Sequence, residues 1–304
     1  MVTPVLVFEL TVVGIALGAL YSLAALGIVL IYKTTGVLNF AHGAIGMFTA
    51  FVAYQFGVVM RLPAVLAVIL ALAFAAAFGW FMERFTLRPL RERPVLSRVI
   101  VTLGWLLVLQ SVAGLIWHDT SYHIPLQIFP SSGVPIGNIS LGYNQLANVV
   151  VAALLSLLLA LFLRFSPLGV AMRATADNPT AARLLGIPIN RVASVAWMMG
   201  ALTAGIAGLL LAPLTALNTT DLTIIVIQAL GAALIGGLTS LPLAFAGGIG
   251  LGIAESLLQL VVPEQLSGAA NVLTFAVILA VLLLRREVRT LAISAAGGGG
   301  EGLG

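Results

Sequence analysis

Few residues in this 304-residue chain have side chains capable of chemistry, and most of those few sit in apolar surroundings. Glu255 is the only acidic residue well inside an apolar run. An ionisable group in that setting either faces a polar cavity or stays protonated or hydrogen-bonded at a helix contact, and both readings are open. Asn39, Phe40, His42 and Gly43 form a second group, beside or inside another apolar run. Buried polar groups there need partners or water. Gly36, Gly43 and Gly46 around them permit a broken helix or a close helix approach. A discontinuous segment lining a translocation route fits this pattern. So does a packing site where Asn39 and His42 bond nearby carbonyls. Gln228 and Asn271 belong to the same class of polar residues within apolar segments.

Other chemistries have no residues to perform them. Cysteine is absent, which excludes disulfides, thiol nucleophiles and Cys-ligated metals. His42, His118 and His123 form no HExxH pair and no metal-ligand spacing, and no nucleophile elbow occurs, so neither a catalytic site nor a metal site is expected. No Gly-x-x-x-x-Gly-Lys-Ser/Thr phosphate loop is present. Energy for any work done by this chain must then come from a partner or an ion gradient.

The elements that position these residues follow from composition. The chain is 61% hydrophobic and 8% charged, against about 25% charged in an ordinary soluble domain. Lipid must replace water as the solvent of most side chains. Apolar runs long enough to span occur at 5–32, 37–57, 63–83, 99–117, 145–163, 192–212, 223–238, 243–262 and 270–284. This predicts an all-α polytopic bundle of about nine spans, eight to ten. Some helices are expected to be discontinuous, with 37–57 and 223–262 as the candidates. The first run is too long for a cleaved leader and reads as a span. Lys33, Arg84, Arg88, Arg91, Arg93, Arg98, Arg164, Arg173, Arg183, Arg191, Arg285, Arg286 and Arg289 then fall in connections on one side, leaving only Arg61 opposite. By the positive-inside bias that side is cytoplasmic, with the N-terminus outside and the C-terminus inside. The net charge of +4 therefore reads as topology and not as nucleic-acid binding. Residues 1–294 form a single transmembrane domain in this reading, with an ordered external loop at 118–144. The glycine-rich 295–304 is expected to be a disordered tail.

The basic connection 164–191 has local structure of its own. Asn178 is an N-cap candidate with Pro179 at the first helical position, while Gly186 and Pro188 stop the helix. A short helix over about 179–185 is expected outside the membrane, where it either docks a partner or merely connects spans.

Thr180-Ala181-Ala182-x-x-x-Gly186 resembles the EAA-x-x-x-Gly loop of ABC-importer permeases, with Thr180 in place of the family's Glu. The longer string from Arg173 to Ile187 resembles the form found in branched-chain amino acid permeases of the LivH/LivM type. Leu20 to Gly27, followed by Gly36-Val37-Leu38-Asn39-Phe40-Ala41-His42-Gly43, resembles the N-terminal signature of the LivH member. The resemblance implies a permease subunit, not an enzyme, forming half of a translocation pore for branched-chain or related small amino acids in the bacterial plasma (inner) membrane. It implies a LivM-like paralogous permease, two ATPase subunits that hold ATP and Mg, and an external substrate-binding protein. No cofactor is expected on this chain. Coupling to the ATPases would fall to Asp177, Asn178, Pro179, Thr180, Ala181, Ala182, Arg183, Leu184, Leu185 and Gly186. Asn39, Phe40, His42, Gly43, Gln228, Glu255 and Asn271 are the translocation-path candidates. An ion-gradient-driven transporter of a small polar solute is the alternative, with Glu255 as its coupling group.

Overall fold

In a computed structural model, the described residues are 4–117, 133–136, 139–214, 217–258 and 260, with isolated positions at 272, 275, 276, 279 and 280. Asn271, the expected ninth span 270–284 apart from those isolated positions, the tail 295–304 and residues 118–132 and 137–138 of the expected external loop lie outside them. Ten α-helices follow in chain order among the described residues: α1 Pro4–Thr35, α2 His42–Tyr54, α3 Ala64–Phe81, α4 Val95–Trp117, α5 Tyr143–Phe165, α6 Pro167–Asp177, α7 Pro179–Leu184, α8 Ile189–Leu211, α9 Asp221–Ile235 and α10 Leu241–Leu258. Wider π-helical turns extend α2 through Gln55–Val59 and α3 through Met82–Leu87. Among the described residues the strands are confined to an antiparallel hairpin of β1 (Gly133–Ile136) and β2 (Ile139–Gly142), in register Gly133 to Gly142, within the expected external loop.

Seven helices among the described residues are long and apolar enough to cross a membrane: Val5–Thr35, His42–Val59, Ala64–Leu90, Val95–Trp117, Gln145–Phe165, Ile189–Leu211 and Leu241–Leu258. The expected seventh span, 223–238, is represented by the shorter apolar helix Ile225–Ile235. At 1.5 Å per residue the 15 residues of α9 cover only about 22 Å, less than the roughly 30 Å of a hydrocarbon core. Pro213 ends α8, and the described residues between the two helices, 212–214 and 217–220, are not helical. The chain breaks similarly between α1 and α2. Gly36, at φ +67°, ends α1, and 37–41 run without helical structure before α2 begins at His42. The expected second span therefore starts five residues late. Of the two stretches expected to hold discontinuous helices, 37–57 loses its first five residues to this break, and 223–262 divides at 236–240 into α9 and α10; the break ahead of α9 lies outside both.

Helices α1 and α8 form the buried centre, while α4 and α5 turn large apolar side chains outward, among them Leu107, Leu115, Val150 and Leu157. Close backbone approach builds the centre. Gly14 and Gly18 of α1 meet Gly248 and Gly252 of the antiparallel α10. Ser22 on α1 donates to the Phe245 carbonyl at 2.7 Å, and Ser256 on α10 donates to the Leu10 carbonyl at 2.6 Å. Small residues win at such crossings because lipid offers helices no hydrophobic gain, leaving van der Waals contact and hydrogen bonds as the attraction.

Candidate functional site

Residues from three of the four basic connections meet at one end of the bundle. They surround a cavity of about 650 Å³ whose lining includes Lys33, Arg88, Arg91, Arg98, Asp177 and Thr239. The expectation that these connections share a side is met for Lys33, the α3–α4 connection and the α5–α8 connection. Thr239, which follows α9, lies there too, so α9 returns the chain to the basic end.

Helix α7 projects from this end. The Asn178 carboxamide oxygen accepts from the Ala181 amide at 2.9 Å, the N-cap bond its sequence position predicts. The helix runs to Leu184, one residue short of expectation. Gly186, at φ +81°, stops it and donates to the Arg183 carbonyl at 3.0 Å. Of residues 177–186 only Ala182 is buried. Leu184 and Leu185 are 85% and 80% exposed, side by side where the helix ends. Asp177 and Pro179 also line the cavity, so the projecting helix and the cavity share a rim. Replacing Asn178 with alanine should weaken α7 by about 1 kcal/mol. Hydrogen–deuterium exchange should quicken at 180–185 and stay unchanged in α8; equal protection in both proteins would contradict the cap's role.

The single loop helix expected here is preceded by another, α6. Its signal is in the sequence: Ser166-Pro167 repeats the cap-then-proline pattern of Asn178-Pro179. The Ser166 hydroxyl accepts from the Gly169 amide at 2.9 Å.

A second unanticipated feature is a buried ion cluster. Glu83, only 2% exposed, accepts from Arg88 Nη2 at 2.6 Å and Arg91 Nη2 at 3.2 Å. The Ser194 hydroxyl, on the second turn of α8, donates to the same carboxylate at 2.7 Å. Arg88 also reaches the Asn190 carbonyl, and Arg91 the Asn190 side-chain oxygen. Burial holds the Arg91 guanidinium below the usual arginine range; Glu83 opposes that shift, and Arg88, Arg183 and Arg98 add to it. Removing Glu83 would take the shared partner from two arginines that are 23% and 28% exposed, whereas removing either arginine leaves the other on the buried carboxylate. Nothing in the local sequence marks Glu83: its partner Ser194 is more than 100 residues away, as is Asn190 from Arg88.

The translocation-path candidates sit deeper, and none of the described ones lines the basic cavity. Asn39 is fully buried in the irregular 37–41 stretch; its side-chain oxygen accepts from the Ala41 amide at 3.1 Å and its Nδ2 has no partner. The Phe40 amide donates to the Thr102 hydroxyl of α4 at 3.2 Å, pinning the break. His42 is 1% exposed; neither ring nitrogen makes a hydrogen bond of ordinary geometry, and the Ala24 backbone is the polar group that acts on the ring. Its ring fits where α1 lacks a side chain at Gly27, next to Thr203 of α8. Gly43 packs on Thr223 and Val226 near the start of α9, so both interrupted helices begin side by side within the bundle. Gln228 is buried one turn further along α9. Glu255 stands apart, half-buried on α10 beside Tyr21 of α1, and its Oε2 has no partner.

A family described as "branched-chain amino acid transport system / permease component" matches residues 10–284. The chain is 30% identical over 285 residues to the high-affinity branched-chain amino acid transport system permease protein LivH of Escherichia coli K12, covering 89% of this chain and 91% of that protein. It is 33% identical over 286 residues to the corresponding permease protein BraD of Pseudomonas aeruginosa, covering 90% and 92%. The probable LivH of Methanocaldococcus jannaschii is 29% identical over 245 residues, covering 78% and 76%. No solved structure matches the chain.

Proposed function

The chain belongs to the branched-chain amino acid transport system permease family, and we propose on that basis that it forms half of the pore of an ATP-driven importer for branched-chain or related small amino acids. The observation that carries the coupling part of this reading is α7, a capped helix standing clear of the bundle with two leucines exposed at its end. Two adjacent leucines at the tip of a capped helix offer a partner an apolar contact. In this reading 177–186 seat in a groove of an ATPase subunit, one ATPase to each permease. The second permease is a LivM-like paralogue, and an external binding protein delivers the amino acid. ATP and Mg belong to the ATPases, and this chain performs no bond chemistry.

Orientation in the bacterial inner membrane follows from the same face. The basic end is cytoplasmic by the positive-inside bias, and nine spans put the N-terminus outside. Closure of the ATPase dimer on ATP pulls the two coupling helices together and opens the pore outward; hydrolysis releases them. We place the route near Asn39, Phe40, His42, Gly43 and Gln228, where two interrupted helices begin side by side. Support comes from the buried Asn39 and His42: the Asn39 Nδ2 has no partner and the His42 ring nitrogens make no hydrogen bond of ordinary geometry, a cost that a polar group in the route would offset. Glu255 and the undescribed Asn271 are weaker members of that set.

Reconstituting the chain with its co-expressed neighbours tests the proposal. Two P-loop ATPases should co-purify stoichiometrically, and uptake should require both ATP and the loaded binding protein. Full uptake by the lone polypeptide under an ion gradient would overturn it.

A further inference from the structure

We propose that Glu83, Arg88 and Arg91, with Asn190 and Ser194, form a strut that transmits movement of the α7 loop to the pore helices. This rests on the coupling role given to α7 above. Only Gly186, Ile187 and Pro188 separate the residue after α7 from α8. The Ile187 amide bonds to the Ala182 carbonyl at 3.0 Å and the Val192 amide to the Pro188 carbonyl at 3.1 Å, so this link is tied at both ends. A displacement of α7 therefore arrives at the first turns of α8, where the strut takes hold.

Its geometry suits a rigid connector. Arg88 bridges Glu83, the Asn190 carbonyl and the Ser194 hydroxyl, the last at 2.7 Å, while Arg91 bridges Glu83 and the Asn190 side chain. The Ser194 hydroxyl closes the ring onto Glu83. Two planar guanidinium groups held on one buried carboxylate leave little rotational freedom, since each makes bonds in a fixed fork. The anchor end lies on the π-helical extension of α3. The body of α3 lies directly on α8: a Cβ on Gly79 would fall 2.6 Å from Ala201 Cβ. Helix α8 in turn packs on α1 at Gly27 and Gly200 and on α2 at Gly46 and Gly208. The strut thus joins the loop to a block of α3 and α8 that contacts both α1 and α2, on either side of the break holding Asn39. Without it, the first turns of α8 could flex while the block stayed still. These five are positioning residues: they act through α8 and need touch neither substrate nor nucleotide.

The test uses the assembled importer in nanodiscs or proteoliposomes. Glu83→Gln removes the charge that holds both arginines. Asn190→Ala with Ser194→Ala removes both α8 side chains from the strut, leaving only the Arg88 bond to the backbone carbonyl of residue 190, and strands no charge, so it serves even where Glu83→Gln does not assemble. Amino acid imported per ATP hydrolysed should fall about tenfold, the size of a typical coupling effect between linked sites, while the complex forms in normal yield and still hydrolyses ATP. Because the chain has no cysteine, spin labels at Phe85→Cys and Arg191→Cys, both exposed, report the strut directly. The unaltered strut should give one narrow distance with and without ATP, and the Asn190→Ala/Ser194→Ala protein a broad one. A coupling ratio within twofold of the parent overturns the proposal, whether or not the distance broadens. If instead the unaltered chain binds no ATPase, the transport reading itself fails, and the strut's role fails with it.

Discussion

Replacing Leu184 and Leu185 with aspartate should reduce uptake to background while the chain still inserts, folds and melts at its usual temperature. Both side chains extend into solvent and touch little of the bundle, so their loss costs the isolated chain almost nothing. In the assembled importer each should be covered. Burying a leucine contributes about 1.5–3 kcal/mol, so losing two weakens ATPase docking by roughly 3–6 kcal/mol, or at least a hundredfold. Aspartate adds the cost of burying a charge. The ATPase subunits should then be lost on affinity purification. Gly186→Pro attacks the same helix through its stop: proline cannot adopt φ +81° and lacks the amide that bonds Arg183. ATP hydrolysis, where any docking survives, should run without import. Normal uptake by either variant refutes docking through α7.

Gly18→Leu should yield little or no folded protein. A Cβ at this position would lie 2.7 Å from the Gly248 carbonyl oxygen and 2.7 Å from Ile249 Cα. Both are backbone atoms of α10, so no rotamer change relieves the clash and α1 must move off α10. That separation would also break the Ser22–Phe245 and Ser256–Leu10 hydrogen bonds. Overpacking alone costs about 1–3 kcal/mol, and the lost packing along the α1–α10 contact adds to it. Thermal denaturation in detergent should show Gly18→Ala as intermediate. Gly104→Leu is the control: nothing lies within 4 Å of a Cβ there, on the outward face of α4, and its melting temperature should not move. Equal stability of the Gly18 and Gly104 variants would show that the glycine contact contributes nothing.

The two experiments probe different kinds of information. The ends of α7 are written in adjacent residues: Asn178 caps, Pro179 starts, Gly186 stops, and the structure places each in that role. Ser166-Pro167 encodes α6 by the same local rule. The sidedness of the basic residues is equally legible, since charge cannot remain in lipid and connections alternate between faces. Gly14 and Gly18 show the limit of this. Their spacing states that some helix could approach closely, but glycine is common in this chain and the spacing names no partner. Folding supplies Gly248 and Gly252, more than 200 residues later.

Glu83 is the sharper case. In sequence it is an acid at the edge of an apolar run, among arginines that topology already explains. Only when α3 lies against α8 do Arg88 and Arg91 turn inward onto it and meet Asn190 and Ser194. Asn39 and His42 likewise read as either path or packing until the break at 36–41 buries Asn39 within it and sets His42 beside Gly27 and Thr203. The sequence by itself determined the solvent, the charged face and the caps, because hydropathy and capping act between neighbours along the chain. Tertiary structure alone decided which buried polar groups pair and which stay unpartnered, because in a bundle without water a side chain's partners are whatever distant segment packing brings to it.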